Sequence, residues 1–220
     1  MNQQDFASGS SHNIFYGYAG FKDPENEDFR LLPSSHAVDA GDPSMPAGNE
    51  PVITGVTPRI DLGMYGNTSL GSAKTCSNTP NKRIFISPSG DKENCGTQAA
   101  PFKSVSQAVR FSNDGDTIIL EDGTYSEHQI DISSKKIIIG SRYIIDGDTA
   151  HITKTVVDGG KPAGDTGSVF IVIKHNSLYK TDTTTVLNGF TITGGTGTSN
   201  MTDSDPSGNF KRGGAICFPY

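Results

Sequence analysis

Short runs of β-branched and other apolar residues, separated by polar turns, recur along the second half of the chain. From Ile118 onward these runs begin roughly 15 to 25 residues apart, a spacing at which a coiled β-structure returns to the same face. Their apolar centres are short and nearly continuous, which is typical of buried parallel strands. The runs are TIIL (117–120), KKIIIG (135–140), KTVVDGG (154–160), SVFIVI (168–173), NGFTITGG (188–195) and GGAICF (213–218).

A helical period is visible only near residues 103–112. Ser104 can cap a helix whose apolar face holds Val105, Ala108, Val109 and Phe111. Asn113–Asp116 then ends the helix, and the first strand run follows at once. The segment DGDTAHITK between two later runs is predicted to be an irregular loop.

A boundary is predicted between two unlike segments, at residues 68–80. The linker is small and polar, as domain boundaries tend to be. Before it, apolar residues come in brief clusters between Pro, Gly and Asp, a pattern that covers an existing core more easily than it builds one. Met1 is followed by polar residues, so the chain is expected to be an interior segment of a longer protein.

Charge and cysteine content narrow the classes of partner. Residues 1–80 carry four basic and nine acidic side chains and residues 81–220 carry fourteen and fifteen, so neither half is basic enough for nucleic acid. No stretch resembles a signal peptide or is long and apolar enough to span a membrane. Of the three cysteines, Cys76 and Cys95 either form a disulfide across the start of the second segment or remain free thiols.

The motifs RIFISPSGD, PFKSVSQAV and GDTIILEDGTY, followed by VVDGG, LNGFTITGG and GGAICF, resemble right-handed parallel β-helix proteins of the pectin-lyase-like superfamily. The likeness is closest to the repeat proteins of large secreted bacterial type. It implies an all-β solenoid with a short N-terminal capping helix, and GDTIILEDGTY as its first rung. FKDPENEDFRLLPSSHAVDAGDP and RIDLGMYG resemble the closing segment of such a β-helix. Residues 1–67 are therefore expected to be the tail of one β-helix, 68–80 a linker and 81–220 the cap and first coils of a second.

The resemblance leaves two functions open, because the same fold carries enzymes, adhesins and inert stalks. The favoured function is a non-catalytic scaffold, secreted or on the bacterial cell surface, that contacts glycans along one face. The alternative is part of a carbohydrate-active enzyme, a calcium-assisted polysaccharide lyase or a glycoside hydrolase, with its active site mostly beyond residue 220. Tyr143 and Tyr179 are candidates for stacking on sugar rings.

Polysaccharide lyases of this fold use a Lys or Arg base, often with acidic residues that bind calcium. The strongest local cluster is Asp158 with Lys161 in DGGKPAGD, although Asp158 can instead bond a turn backbone while Lys161 is solvated. The five histidines have no partner at i, i+2 or i+4 spacing. Further candidates are the basic residues Arg142, Lys154, Lys174 and Lys180 and the acidic residues Asp146, Asp148 and Asp165.

Asp39 and Asp42 in DAGDP raise a calcium hypothesis, because acidic side chains precede them at 23–28 and calcium prefers crowded oxygen ligands. The spacing is not that of an EF-hand or of a nonapeptide calcium repeat. Both residues can also serve as turn caps around Gly41, which is the favoured interpretation. Asp203 and Asp205 form a weaker acidic pair in a predicted loop. No other cofactor is expected.

Overall fold

The structure, a computed structural model, describes residues 20–42, 44–45, 48–51, 59–66, 68–71, 76, 82–133, 135–163, 166–172, 185–198 and 213–217. The chain divides into two compact units, Met1–Asn78 and Thr79–Tyr220. The structure is mostly β, with few helices. The assignment of the first unit to the end of a preceding β-helix stays a prediction.

The described part of the first unit contains an antiparallel hairpin and a small apolar cluster. Strands β1 (Phe21–Asp23) and β2 (Asp28–Leu31) pair across a 3-10 turn at Pro24–Asn26. Behind them, buried Leu31, Ala37 and Val38 pack with the half-buried side chains of Phe21 and Leu62.

Parallel sheets dominate the second unit, as the apolar runs predicted. Each sheet collects strands that are distant in sequence. The strands are β3 (Arg83–Ile86), β4 (Thr117–Leu120), β5 (Gly123–Ser126), β6 (Ile130–Asp131), β7 (Ile138–Ser141), β8 (Thr155–Asp158), β9 (Thr166–Gly167), β10 (Phe170–Ile171), β11 (Val186–Asn188), β12 (Thr191–Thr193), β13 (Gly197–Thr198) and β14 (Ile216–Cys217).

The chain visits three parallel sheets in the same order three times. The first sheet has the order β11-β7-β4-β3, the second β12-β8-β5 and the third β14-β10-β6, and a separate short antiparallel pair joins β9 to β13. Strands β4, β5 and β6 thus make one circuit, β7, β8 and β10 the next, and β11, β12 and β14 the last. This order is consistent with a β-helix.

Apolar residues stack in columns in the interior because the strands pair in register. Ile84, Ile118 and Ile139 occupy one column of the first sheet, and each is at most 1 % exposed. In the second sheet Tyr125 pairs with buried Val157. In these columns each circuit covers buried side chains of its neighbour.

The predicted capping helix is present as α1 (Val105–Phe111), and the Ser104 side chain accepts the N–H of Gln107 at 3.1 Å. The predicted apolar face is buried, and the Phe111 ring stacks on Phe102. α1 packs against β3, β4 and β6.

The prediction of an irregular loop at DGDTAHITK is wrong in part, because two short helices occupy this region. They are α2 (Tyr143–Asp146) and α3 (Ala150–Lys154). At four and five residues they are too short to show a helical period, so packing must support them. A Cβ placed at Gly140 would lie 2.8 Å from the Ile144 side chain, which shows how closely α2 packs on β7.

Candidate functional site

Hydrogen bonds from backbone N–H groups hold the Asp158–Lys161 loop. Asp158 ends β8, and its Oδ1 accepts the N–H of Gly160 at 3.0 Å. The N–H of Lys161 donates to the carbonyl of Gly194 at 2.7 Å, and Lys161 has a left-handed φ of 51°. Lys161 is exposed. Asp158 therefore has the turn-forming contact that the simpler interpretation expected. Asp165, Lys174 and Lys180 lie outside the described residues.

Three carboxylates meet in the first unit. Asp39, Glu50 and Asp61 each bring one oxygen within 4.8 Å of the others, and Glu50 and Asp61 are only 7 % and 4 % exposed. The sequence hypothesis placed Asp42 beside Asp39. The structure brings Glu50 and Asp61 close to Asp39.

Backbone pairing between two loops creates this acidic group. Gly41 donates to the carbonyl of Ile60 at 2.8 Å and Leu62 donates to that of Ala37 at 2.9 Å, so the two loops run side by side. Asp39 lies in one loop, with a φ of 52°, and Asp61 lies opposite in the other. Glu50 reaches them over Gly71, where a Cβ would come within 2.8 Å of the Glu50 side chain.

The carboxylates also bind backbone N–H groups. Asp61 Oδ1 accepts the N–H of Asp39 at 2.9 Å, while Glu50 accepts the N–H of Asp61 at 3.0 Å. These bonds offset part of the cost of burying negative charge. Three hard oxygen donors at this spacing are also the donor type that calcium prefers.

Asp42 has a local role in the turn that follows Gly41. Its Oδ1 accepts the backbone N–H of Ser44 at 2.8 Å and the Ser44 hydroxyl at 2.7 Å. This is the turn-capping contact that the sequence suggested for DAGDP. Asp203 and Asp205 lie outside the described residues.

A third charged group, which sequence spacing did not indicate, surrounds His151 of α3. Its Nδ1 lies 2.5 Å from Asp122 Oδ1, and its Nε2 lies 3.2 Å from Asp146 Oδ2. Beside it Arg142 Nη1 lies 2.9 Å from Glu121 Oε1. Arg142 and Asp146, two of the candidates for lyase chemistry, therefore have charged partners of their own.

The turn that carries Glu121 and Asp122 is fixed from the next strand. The Tyr125 hydroxyl lies 2.8 Å from the carbonyl oxygen of Glu121 and 3.0 Å from that of Ile86. Burial of this phenol raises its pKa well above the usual value. Tyr125 thus stays protonated and holds the turn at which Asp122 meets His151.

The pKa shifts in this group favour a protonated His151 and an ionised Asp146. The hydrogen bond to Asp122 raises the pKa of His151 above its ordinary 6.5, against the effect of desolvation. The pKa of Asp146 is lowered, chiefly by the backbone N–H of Asp148 and further by the charge of His151. An imidazolium between two carboxylates is the arrangement that these shifts support.

The structure describes one of the two candidate tyrosines and all three cysteines. Tyr143 is half-buried, and a Cβ at Gly189 would lie 2.5 Å from its ring. Tyr179 lies outside the described residues. Cys76 and Cys95 are disulfide-bonded, whereas Cys217 is buried and takes no part in a disulfide.

Among the residues that the structure describes, no helix is long and apolar enough to span a bilayer.

The family described as "Protein of unknown function (DUF1565)" matches residues 88–215, and that family is associated with parallel β-helix proteins. No curated protein and no solved structure matches the chain.

Proposed function

Since the chain belongs to the DUF1565 family, we propose that it forms a right-handed β-helical solenoid of the pectin-lyase-like type and serves as a non-catalytic scaffold. The observation that supports this most strongly is the repeated visit of the chain to three parallel sheets in one order. A stack of this kind is an extended body whose neighbouring coils stabilise one another.

The contacts of the polar residues favour a scaffold over an enzyme. Asp158 bonds a turn amide, Asp42 caps a turn, and Arg142 pairs with Glu121. Each of these candidates has a contact that stabilises the fold. A catalytic group, by contrast, must face a substrate within hydrogen-bond reach of the reacting atoms.

An exported location is the second part of the proposal. Disulfides persist in oxidising compartments and are rare in the cytosol, so the bonded Cys76 and Cys95 favour secretion or display at the cell surface. Thiol labelling in intact cells tests it: Cys76 and Cys95 should resist alkylation until a reductant is added.

We also propose that the outer face of the second sheet contacts glycans. On the outer face of the second sheet, Ser126, Asp158 and Thr193 form one in-register row, of which Ser126 and Thr193 are exposed. Exposed Thr124 begins the neighbouring row, paired with Val156. The exposed hydroxyl groups of Ser126, Thr193 and Thr124 can donate hydrogen bonds to, and accept them from, the hydroxyl groups of a polysaccharide chain.

Binding and turnover of uronate polymers decide between the two functions. The scaffold proposal expects retention on immobilised polymer, weakened in a Ser126→Val, Thr193→Val double variant, and no calcium-dependent growth of the absorbance of an unsaturated product. Thr153→Val, at an exposed position on α3, is the matched control. Turnover by the full-length protein that disappears in Lys161→Gln would replace the scaffold with the lyase alternative.

We also propose that the first unit binds calcium, through a set of ligands that differs from the pair suggested by the sequence. Asp39, Glu50 and Asp61 supply the oxygens that a calcium ion in this unit would take. Asp42 is engaged in its own turn and is left out of the set. The ion would stabilise the two paired loops and takes no part in catalysis.

A further inference from the structure

Both ring nitrogens of His151 face carboxylate oxygens, Nδ1 toward Asp122 at 2.5 Å and Nε2 toward Asp146 at 3.2 Å. A neutral imidazole carries only one N–H, so its other nitrogen would direct a lone pair at a carboxylate. An imidazolium donates on both sides. Only the protonated ring therefore satisfies both contacts.

The two carboxylates lie on different parts of the chain. Asp122 lies in the turn between β4 and β5, whereas Asp146 and His151 belong to the segment 142–154, which leaves β7 and returns to β8. We call this segment the helical excursion. The protonated ring ties the excursion to the turn of the preceding coil.

The excursion also covers the following coil. The Thr191 hydroxyl of β12 donates to the carbonyl of Ile152 at 2.8 Å, and the Tyr143 ring lies over Gly189. The helical excursion therefore spans three successive circuits of the chain, and His151 is its tie at the earliest of them.

We propose that His151 is a pH-sensitive latch: protonated, it holds the helical excursion against Asp122 by an ion pair, and deprotonated, it loses that charge and lets α3 loosen from the β4–β5 turn. The excursion stays attached at its other end, where Arg142 pairs with Glu121 at 2.9 Å. Arginine keeps its charge throughout the range in which histidine titrates. At the α3 end the chain continues directly into β8 at Thr155, so opening is a local loosening of residues 147–154 between these two attachments.

The charges around His151 set the direction of the switch. Asp122 faces His151 from the turn, where the neighbouring Glu121 pairs with Arg142, and Asp146 and Asp148 face it from the excursion. Arg142 and Lys154 are the basic groups on the same segment. Since the pKa of His151 is raised on folding, its contribution is complete below pH 6.5 and is lost as the pH rises through the folded value. The latch is closed in acid and opens in alkali.

Amide hydrogen exchange of the full chain, corrected for the intrinsic rate, tests the latch between about pH 5.5 and about pH 9. We expect protection of residues 147–154 to fall several-fold across this range, while α1 changes little. His151→Gln should remove the pH dependence and leave this segment at the low protection of alkaline wild type. His128→Gln, at an exposed histidine of the next strand connection, should behave as wild type.

NMR titration of the imidazole nitrogens in the unmutated chain gives an independent readout. We expect His151 to titrate above 6.5 and to carry a proton on both nitrogens below its pKa. Equal protection of 147–154 at both ends of the pH range, pH dependence that persists in His151→Gln, or titration of His151 at or below 6.5 would each overturn the proposal.

Discussion

The carboxylate of Glu127 accepts the backbone N–H of Val105 at 2.6 Å, so a side chain that follows β5 closes the first turn of α1. Its second oxygen accepts the N–H of Ser106 at 2.9 Å. Two N–H groups that a helix leaves unpaired are thereby satisfied, in addition to the one that Ser104 caps. The cap thus joins the helix to the first circuit of strands.

We expect Glu127→Ala to lower the free energy of unfolding by about 1–3 kcal/mol, because two helix amides lose their acceptor. Urea denaturation followed by circular dichroism measures the change. Glu127→Gln keeps one acceptor oxygen and should fall between alanine and wild type. Ser126→Ala, at the exposed neighbouring position, serves as control; equal midpoints for it and Glu127→Ala would show that the cap contributes nothing.

Asp116, in the GDT motif after α1, is fully buried and accepts the N–H groups of Lys82 at 2.9 Å and Asn113 at 2.8 Å. Asp116→Ala leaves both donors without this acceptor, so we expect a loss of about 2–4 kcal/mol in the free energy of unfolding. Asp114→Ala removes one acceptor from Lys136 at an exposed site and should cost under about 1 kcal/mol. The ratio of the two losses is the test: similar losses would mean that burial of Asp116 adds nothing.

The sequence predicted best the elements whose signal is local. Ser104 stands directly before an apolar helical face, and Ile118 and Ile119 lie in a run of β-formers, so α1 and β4 were predictable from neighbours alone. The start of β7 was less predictable: the run KKIIIG covers residues 135–140, and the strand begins at Ile138 within it. Lys135 instead donates to the carbonyl of Ser112 at 2.7 Å. That contact depends on how segments distant in sequence come together in the fold.

The charged groups escaped prediction for the same reason. Asp122 and His151 are 29 residues apart, and they meet because β5 pairs with β8 in a particular register. Glu50 and Asp61 join Asp39 only when two loops pair through their backbones. The spacing of residues within one segment does not predict contacts between residues of different segments.

Calcium is expected to raise the thermal midpoint of the full chain, with each tenfold excess over its Kd adding about 1.4 kcal/mol to the free energy of unfolding. Asp61→Asn keeps an oxygen for the N–H of Asp39 but removes a charge, and should abolish the shift. Asp42→Asn, outside the acidic group, should retain it. Differential scanning calorimetry with calcium and with chelator makes the measurement. A shift lost in Asp42→Asn but kept in Asp61→Asn would restore the ligand pair suggested by the sequence.

One substitution of Lys161 distinguishes the effect of its backbone conformation on stability from a role of its side chain in binding. Its φ of 51° is strained for a residue with a Cβ, and glycine adopts it freely. We therefore expect Lys161→Gly to raise the free energy of unfolding by about 0.5–1 kcal/mol, the relief of strain exceeding the greater chain entropy of glycine. Lys154→Gly, at the exposed last residue of α3, should lower it, because glycine gives up more chain entropy when the helix forms. Urea midpoints of both variants measure these opposite signs. A stabilised Lys161→Gly that still binds uronate polymer as wild type does would leave the side chain without a role in binding, whereas weaker binding would assign it one.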